Sequence, residues 1–142
     1  VHGLEPQLKD GVWSVTAHWS QRKVALDMSS AVMNGNLLYG FSHFGRGRFF
    51  CLDPKTGKVL WQGPERTGEN VTFLSIPGHI LALLNNGELQ VIAARANRYE
   101  KVASWRVAET PTWAPPVLLQ RSILIKDKET LTFWALEDAG LN

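Results

Sequence analysis

The chain is poor in the residues that carry chemistry directly. It has one cysteine in 142 residues, Cys51, so an internal disulfide and a cysteine-based metal cluster are both excluded. His2 and His18 stand apart and complete no metal-ligand spacing. There is no Gly-x-Ser-x-Gly, no phosphate loop and no dinucleotide fingerprint. No apolar run approaches the roughly 20 residues that a membrane-spanning helix needs. Val1-His2-Gly3-Leu4 lacks both the basic start and the apolar run of a signal peptide, although a mature or truncated chain would read the same. The net charge of +2 is too small to point to nucleic acid or to a membrane surface. Amphipathic helical periodicity is missing too, because the apolar runs are short and bounded by turn residues.

What is present is a set of large apolar anchors, six Trp and six Phe beside only two Met and two Tyr. Hydrophobic residues at 44% and charged residues at 20% suit a soluble globular protein, and the length is about that of one domain with a sizeable core. The most informative stretch is residues 51–61, CLDPKTGKVLW. Phe49–Leu52 reads as one apolar strand and Val59–Trp61 as another. Between them Asp53, Thr56 and Gly57 form a turn, since Asp and Thr side chains bond nearby amides and Gly tolerates positive φ.

The rest of the chain repeats this unit in degraded form. A hairpin is predicted over 1–8 and Val12–Trp19 around Lys9-Asp10-Gly11. Strands follow at 31–33, 37–41 and 48–53, then at 72–76, 80–84, 88–93 and 101–107, then at 117–119, 123–126 and 130–136. Leu37-Leu38-Tyr39, Ile80-Leu81-Ala82 and Ile123-Leu124-Ile125 recur at intervals of 43 and 43, and Trp19, Trp61 and Trp105 at 42 and 44. Four short strands per unit and a period of about 40–50 residues are the proportions of β-propeller blades. Two anchors at one period favour this over a pair of unrelated β-sandwiches. On that reading the Trp on each last strand fills the wedge between neighbouring blades.

The segment CLDPKTGKVLW resembles the repeat of the quinoprotein-like (PQQ-repeat) β-propellers, Ala-x-Asp-x-x-Thr-Gly-Lys-x-x-Trp. Asp53, Thr56, Gly57, Lys58 and Trp61 occupy the motif positions of the family's tryptophan-docking repeat, and Cys51 stands where Ala is usual. The resemblance covers about residues 12–137, but only one blade carries the full motif. AARANRYEKVASW lacks the Asp and Gly of the turn and keeps Trp105, and the last unit has Trp134 in its third strand. The resemblance implies the all-β propeller fold and relatives of several kinds. These include cofactor-dependent alcohol dehydrogenases and the propeller lipoprotein of the outer-membrane barrel-assembly machinery. It therefore marks fold more sharply than function.

The expected architecture is an arc of four-stranded antiparallel blades, about three in all, in an incomplete ring. A partial blade spans 1–20, whole blades span 29–62 and 70–107, and a three-stranded last blade spans 112–137. Propellers usually hold about 4–8 blades, so the chain is expected to be the C-terminal portion of a larger ring. Its partners are then the missing upstream blades or other proteins, and a dimer of two arcs is a further possibility, because a free arc exposes apolar blade faces and unpaired strand edges.

Strand order puts the connections between blades, and those between second and third strands, on one face. The Asp53–Gly57 turn falls on the other, which makes Asp53 structural. Ser29, Ser30, Asn70, Thr72 and Trp113 are expected at the channel mouth, with His43, Arg46 and Lys126 in loops of the same face. Such a polar and aromatic rim suits a small anionic or sugar-like ligand, while ordinary surface polarity accounts for most of it. Glu65 and Glu69 are candidates for a general acid/base pair, and His43 with Arg46 for stabilising an anion, but nothing in the spacing brings the two carboxylates together. Known binders of pyrroloquinoline quinone (PQQ) use a stacking Trp, a Cys-Cys pair and Ca²⁺ held by Glu, Asn and Asp. That set cannot be mapped here: Trp113 is offered for stacking and Lys126 for a quinone oxygen, and neither follows from the motif. The expected function is a non-catalytic propeller scaffold binding a protein or ligand. The alternatives are part of a PQQ-dependent oxidoreductase, or a sugar- or peptide-binding propeller. A periplasmic or extracellular location follows from the resemblance alone.

Overall fold

The computed structural model describes residues 1–135. They form thirteen strands and no helix. β1 (His2–Lys9) and β2 (Val12–Ser20) make a two-stranded hairpin. β3 (Val32–Asn34), β4 (Leu37–Ser42), β5 (Arg48–Leu52) and β6 (Val59–Gln62) make one four-stranded antiparallel sheet. β7 (Val71–Ile76), β8 (His79–Leu84), β9 (Glu88–Ala93) and β10 (Lys101–Arg106) make a second. β11 (Val117–Leu119), β12 (Ser122–Lys126) and β13 (Leu131–Ala135) make a three-stranded third. Every sheet is ordered up-and-down, as blades of a propeller arc are. The end of the last expected strand, at residue 136, and of the last expected blade, at 137, lies outside the described residues.

Strand alternation sends side chains to both faces of each blade, and both faces of the two four-stranded blades are packed against neighbours. Tyr39, Phe41, Phe49, Cys51 and Trp61 point forward from the first four-stranded blade. They meet Val71, Ile80, Ala82, Leu84 and Ile92 of the second. Leu81, Leu83 and Leu89 point the other way and meet Ile123 and Ile125 of the last blade. Phe50 and Leu52, with Leu38 and Val59, point back onto Trp19 and Val1 of the hairpin. The uninterrupted apolar strands FFCL and ILALL follow from this double burial.

The structural period is not the one that matching triplets suggest. The hairpin ends pair as Asn34↔Leu37, Ile76↔His79 and Leu119↔Ser122, which are 42 and then 43 residues apart. Leu38 therefore corresponds to Ile80 and Tyr39 to Leu81, one residue off the sequence match. Two-residue turns fix that register, and a slip of one residue would exchange the faces of the whole strand.

The Trp residues show how blades are joined. The Trp19 indole Nε1–H donates to Pro54 O (2.9 Å), in the outer turn of the following blade. Its ring lies against Gly57, where a Cβ would sit 2.4 Å from Trp19 Cε3. Gly57 also has φ +70°, so the motif glycine answers two demands at once: a left-handed turn and a bare surface for the indole. One blade further on, Trp61 Nε1–H donates to Arg95 O (2.7 Å) in the loop between β9 and β10. That loop has no Gly. Ala94 and Tyr99 pack there instead, with Tyr99 stacked on Phe49 (5.8 Å between centroids) and edge-on to Trp61 (5.7 Å). Trp105 is placed differently. Cys51 pairs with Trp61, whereas Trp105 pairs with Leu89, and Val91 pairs with Ala103 across the irregularity between Lys101 and Ala103. Trp105 is 54% exposed.

Both ends of the arc carry open apolar faces. In the β1–β2 hairpin directly opposed residues share a face, so Leu4/Ala17, Pro6/Val15 and Leu8/Trp13 form one apolar side and Glu5/Thr16 and Gln7/Ser14 a polar one. Leu4, Leu8, Trp13 and Val15 are all exposed. At the other end Val117, Leu119, Leu131 and Phe133 are exposed on the outward side of the last blade.

Trp61→Ala is expected to open an inter-blade cavity and lower stability by about 3–5 kcal/mol, measured by denaturant unfolding. Gly57→Val is expected to lower it as well, because the branched side chain meets both the left-handed backbone and the Trp19 ring. Wild-type stability in both variants would contradict the docking account.

Candidate functional site

Antiparallel order gathers the connectors 21–31, 63–70 and 107–116 on one face, together with the loops following β4, β8 and β12. Hydrogen bonds tie these segments to each other. Ala25 N donates to Ser42 Oγ (3.1 Å), Arg66 N to Gly45 O (3.0 Å), Thr67 N to Gly47 O (2.9 Å) and Thr112 N to Asn85 O (3.0 Å).

The innermost strands begin at a row of buried polar residues. Ser29 Oγ–H donates to Asn70 Oδ1, and Ser29 Oγ accepts from Val71 N (3.1 Å). Asn85 holds Asn70 from the other side: Asn85 N donates to Asn70 O (3.0 Å), and Asn70 N donates to Asn85 Oδ1 (3.3 Å). Thr112 Oγ1–H donates to Leu84 O (2.6 Å). Ser29, Asn70 and Thr112 each stand on the connector leading into an innermost strand, and each uses its polar atoms to join one blade to the next. Burial makes such atoms costly unless paired, which is why all three are bonded. The sequence signal for this row was a polar residue ahead of each first strand. Burial of the row was not visible there.

The remaining mouth candidates separate into two groups. Trp113, 52% exposed, and Lys126 line one open depression of about 290 Å³ with Pro111, Ala114, Asp127 and Lys128. Lys126 Nζ–H donates to Asp127 O. His43 and Arg46 share the loop after β4, where the His43 ring meets Phe44 edge-on at 4.7 Å. Ser30 is exposed on the connector before β3, and Thr72 Oγ1 is buried without a partner among the described residues.

The carboxylates are engaged individually. Glu65 is paired with Arg48 Nη1 (3.1 Å), and Glu69 accepts from Asn85 Nδ2 (3.3 Å), so the two have separate partners. Asp127 accepts from Glu129 N (2.9 Å) and from Thr130, whose backbone amide is the chief reason its carboxyl is held down at about 2. Asp53 does the same in its own turn on the opposite face. Lys55 N (2.9 Å) and Thr56 Oγ1 (2.8 Å) donate to it and lower its pKa, the Lys55 amide foremost. Burial pushes the Cys51 thiol up to about 11, which keeps it protonated and unreactive. No group of three His, Cys, Asp or Glu that could hold a metal occurs among the described residues.

A sizeable cavity lies away from this face, between the last two blades. It measures about 660 Å³, and Leu81, Leu89, Val91, Trp105, Ile123 and Trp134 are among its lining. The aromatic filling of the preceding interface explains it: Leu81, Leu83 and Leu89 stand where Tyr39, Phe41 and Phe49 close the earlier groove. Sequence reasoning missed this cavity, because only the structural register matches these positions.

No protein-family profile matches the chain, and no curated protein is similar to it in sequence. Among solved structures it is similar to BamB from Moraxella catarrhalis, with a TM-score of 0.67 and 16% identity. That match covers 94% of this chain and 40% of that one. Two computationally designed proteins, Ika8 and Ika4, align at TM-scores of 0.41 and 0.45 with 11% and 10% identity, too loosely to carry an argument. Ika8 covers 92% of this chain and 57% of its own, and Ika4 covers 84% and 100%. The BamB likeness, with the sheet topology, establishes an all-β propeller arc that spans 40% of that structure's length.

Proposed function

We propose that this arc belongs to a larger, non-catalytic propeller of the PQQ-like repeat type, acting as a rigid scaffold for another protein outside the cytoplasm. One observation carries the reading. The mouth-face carboxylates Glu65, Glu69 and Asp127 and the polar row Ser29–Asn70–Asn85 are bonded within the chain. Exposed aromatic and cationic side chains are left over, which are the residue types that interfaces favour. The likeness to BamB supports a propeller without adding an activity. The open apolar faces at both ends of the arc support further blades as its immediate neighbours.

A PQQ-dependent oxidoreductase would need Ca²⁺ ligands and a quinone stack. Trp113 and Lys126 share a depression, yet Asp127 beside them is committed to its own turn. A spectral titration of the full-length protein with PQQ and Ca²⁺ is expected to show no saturable change. Saturable binding would overturn the scaffold reading.

A second reading, a sugar- or peptide-binding propeller, is favoured by the Trp113 depression alone. Under it Trp113→Ala abolishes ligand binding while unfolding free energy stays within about 0.5 kcal/mol of wild type, as for other exposed positions. Loss of folding would instead place Trp113 in the core.

A further inference from the structure

The loop after β4 and the connector after β6 are locked together in a conformation that glycine would adopt more easily. Gly45, Arg46 and Gly47 have φ of +67°, +61° and +88°, three consecutive left-handed residues. Arg66, in the connector, has φ +60°. Besides Asp10 in the hairpin turn, these two arginines are the only non-glycine residues with positive φ among the described residues. The two backbones meet at Arg66 N→Gly45 O (3.0 Å) and Thr67 N→Gly47 O (2.9 Å), with Arg46 between the two acceptors. A Cβ on Gly47 would lie 1.7 Å from Gly68 O, so the loops are in direct contact.

The charges of this double loop are unevenly matched. Arg48 takes the Glu65 carboxylate (3.1 Å), and Arg95, Arg98 and Arg106 elsewhere each face a glutamate. Arg46 and Arg66 are exposed and meet no carboxylate among the described residues. Phe44, 42% exposed, and His43 stand in the same loop. Left-handed backbone disfavours a side chain, so arginine at both positions calls for a role of the guanidinium groups themselves.

We infer that Arg46 and Arg66, with Phe44, form a fixed platform that binds an acidic, aromatic-containing segment of a partner protein. This inference rests on the scaffold reading and gives it a surface and a partner chemistry. Guanidinium forks bind carboxylates bidentately, and Arg beside an exposed aromatic ring is the composition of interface hot spots. A protein segment fits better than an anionic bilayer. The net charge is only +2, and two arginines fall short of the clusters of about 4–8 Lys or Arg that bind anionic lipid surfaces.

The test uses the full chain and a fluorescein-labelled peptide of alternating Asp and Phe, with an Asn/Phe peptide as control. The double variant Arg46→Gly plus Arg66→Gly relieves the left-handed backbone and is expected to keep the wild-type melting temperature. Wild type should bind the acidic peptide about tenfold or more tightly than the control, and the double variant should lose that preference. Equal binding by wild type and variant, or no binding of the acidic peptide, would overturn the platform. Arginine-dependent binding to phosphatidylglycerol vesicles without peptide binding would also overturn it, in favour of a membrane surface. A saturable quinone titration would sink the scaffold reading while leaving the peptide result standing, so the two failures are distinguishable.

Discussion

The structure depends on one repeated contact, an indole on the last strand of a blade donating to a carbonyl in the outer turn of the next. Trp19 reaches Pro54 O and Trp61 reaches Arg95 O. Each contact combines burial of a large ring with a satisfied donor, so a misplaced neighbour loses both the apolar contact and the hydrogen bond. This lets short strands, some only three residues long, hold a fixed angle to the blade beside them. A second lock sits nearer the axis. Ser29, Asn70 and Asn85 join the innermost strands on one face, while on the other Asn34 Nδ2 donates to Ile76 O (2.7 Å) and His79 O (3.0 Å) of the following hairpin.

The division of labour between the two faces follows from these locks. The face bearing the Asp53–Gly57 turn is occupied with docking, and Asp53 is consumed by the turn it stabilises. The connector face also uses its buried polar residues for assembly, leaving Trp113, Phe44, Arg46 and Arg66 exposed. Under the proposed scaffold reading, recognition falls to loops held by a rigid framework, a usual arrangement where framework and contact surface are separate.

Much of the fold was legible in the sequence. Turn residues such as Lys9-Asp10-Gly11, Asn34-Gly35-Asn36 and Asn85-Asn86-Gly87 bounded the strands, and Trp recurrence set the period. Facing was less legible. Matching Leu37-Leu38-Tyr39 to Ile80-Leu81-Ala82 is off by one residue, because similar aliphatic residues sit on both buried faces and only turn geometry distinguishes them. Trp105 matched by spacing, yet Ala103 takes the place opposite Val91 and Trp105 stands two positions further along β10. Of the candidate site, the common face was legible from strand order. The burial of Ser29 and Asn70 and the left-handed backbone at Arg46 and Arg66 depend on contacts between segments far apart in sequence, which no local pattern encodes.

Amide hydrogen exchange in a Trp19→Ala variant of the full chain tests the docking claim most directly. The account predicts faster exchange at Asp53 and Gly57, whose amides close the turn that receives Trp19, with unchanged protection at Ala93 in the next blade. Unchanged exchange in the 53–58 turn, or equal loss of protection in both blades, would contradict it.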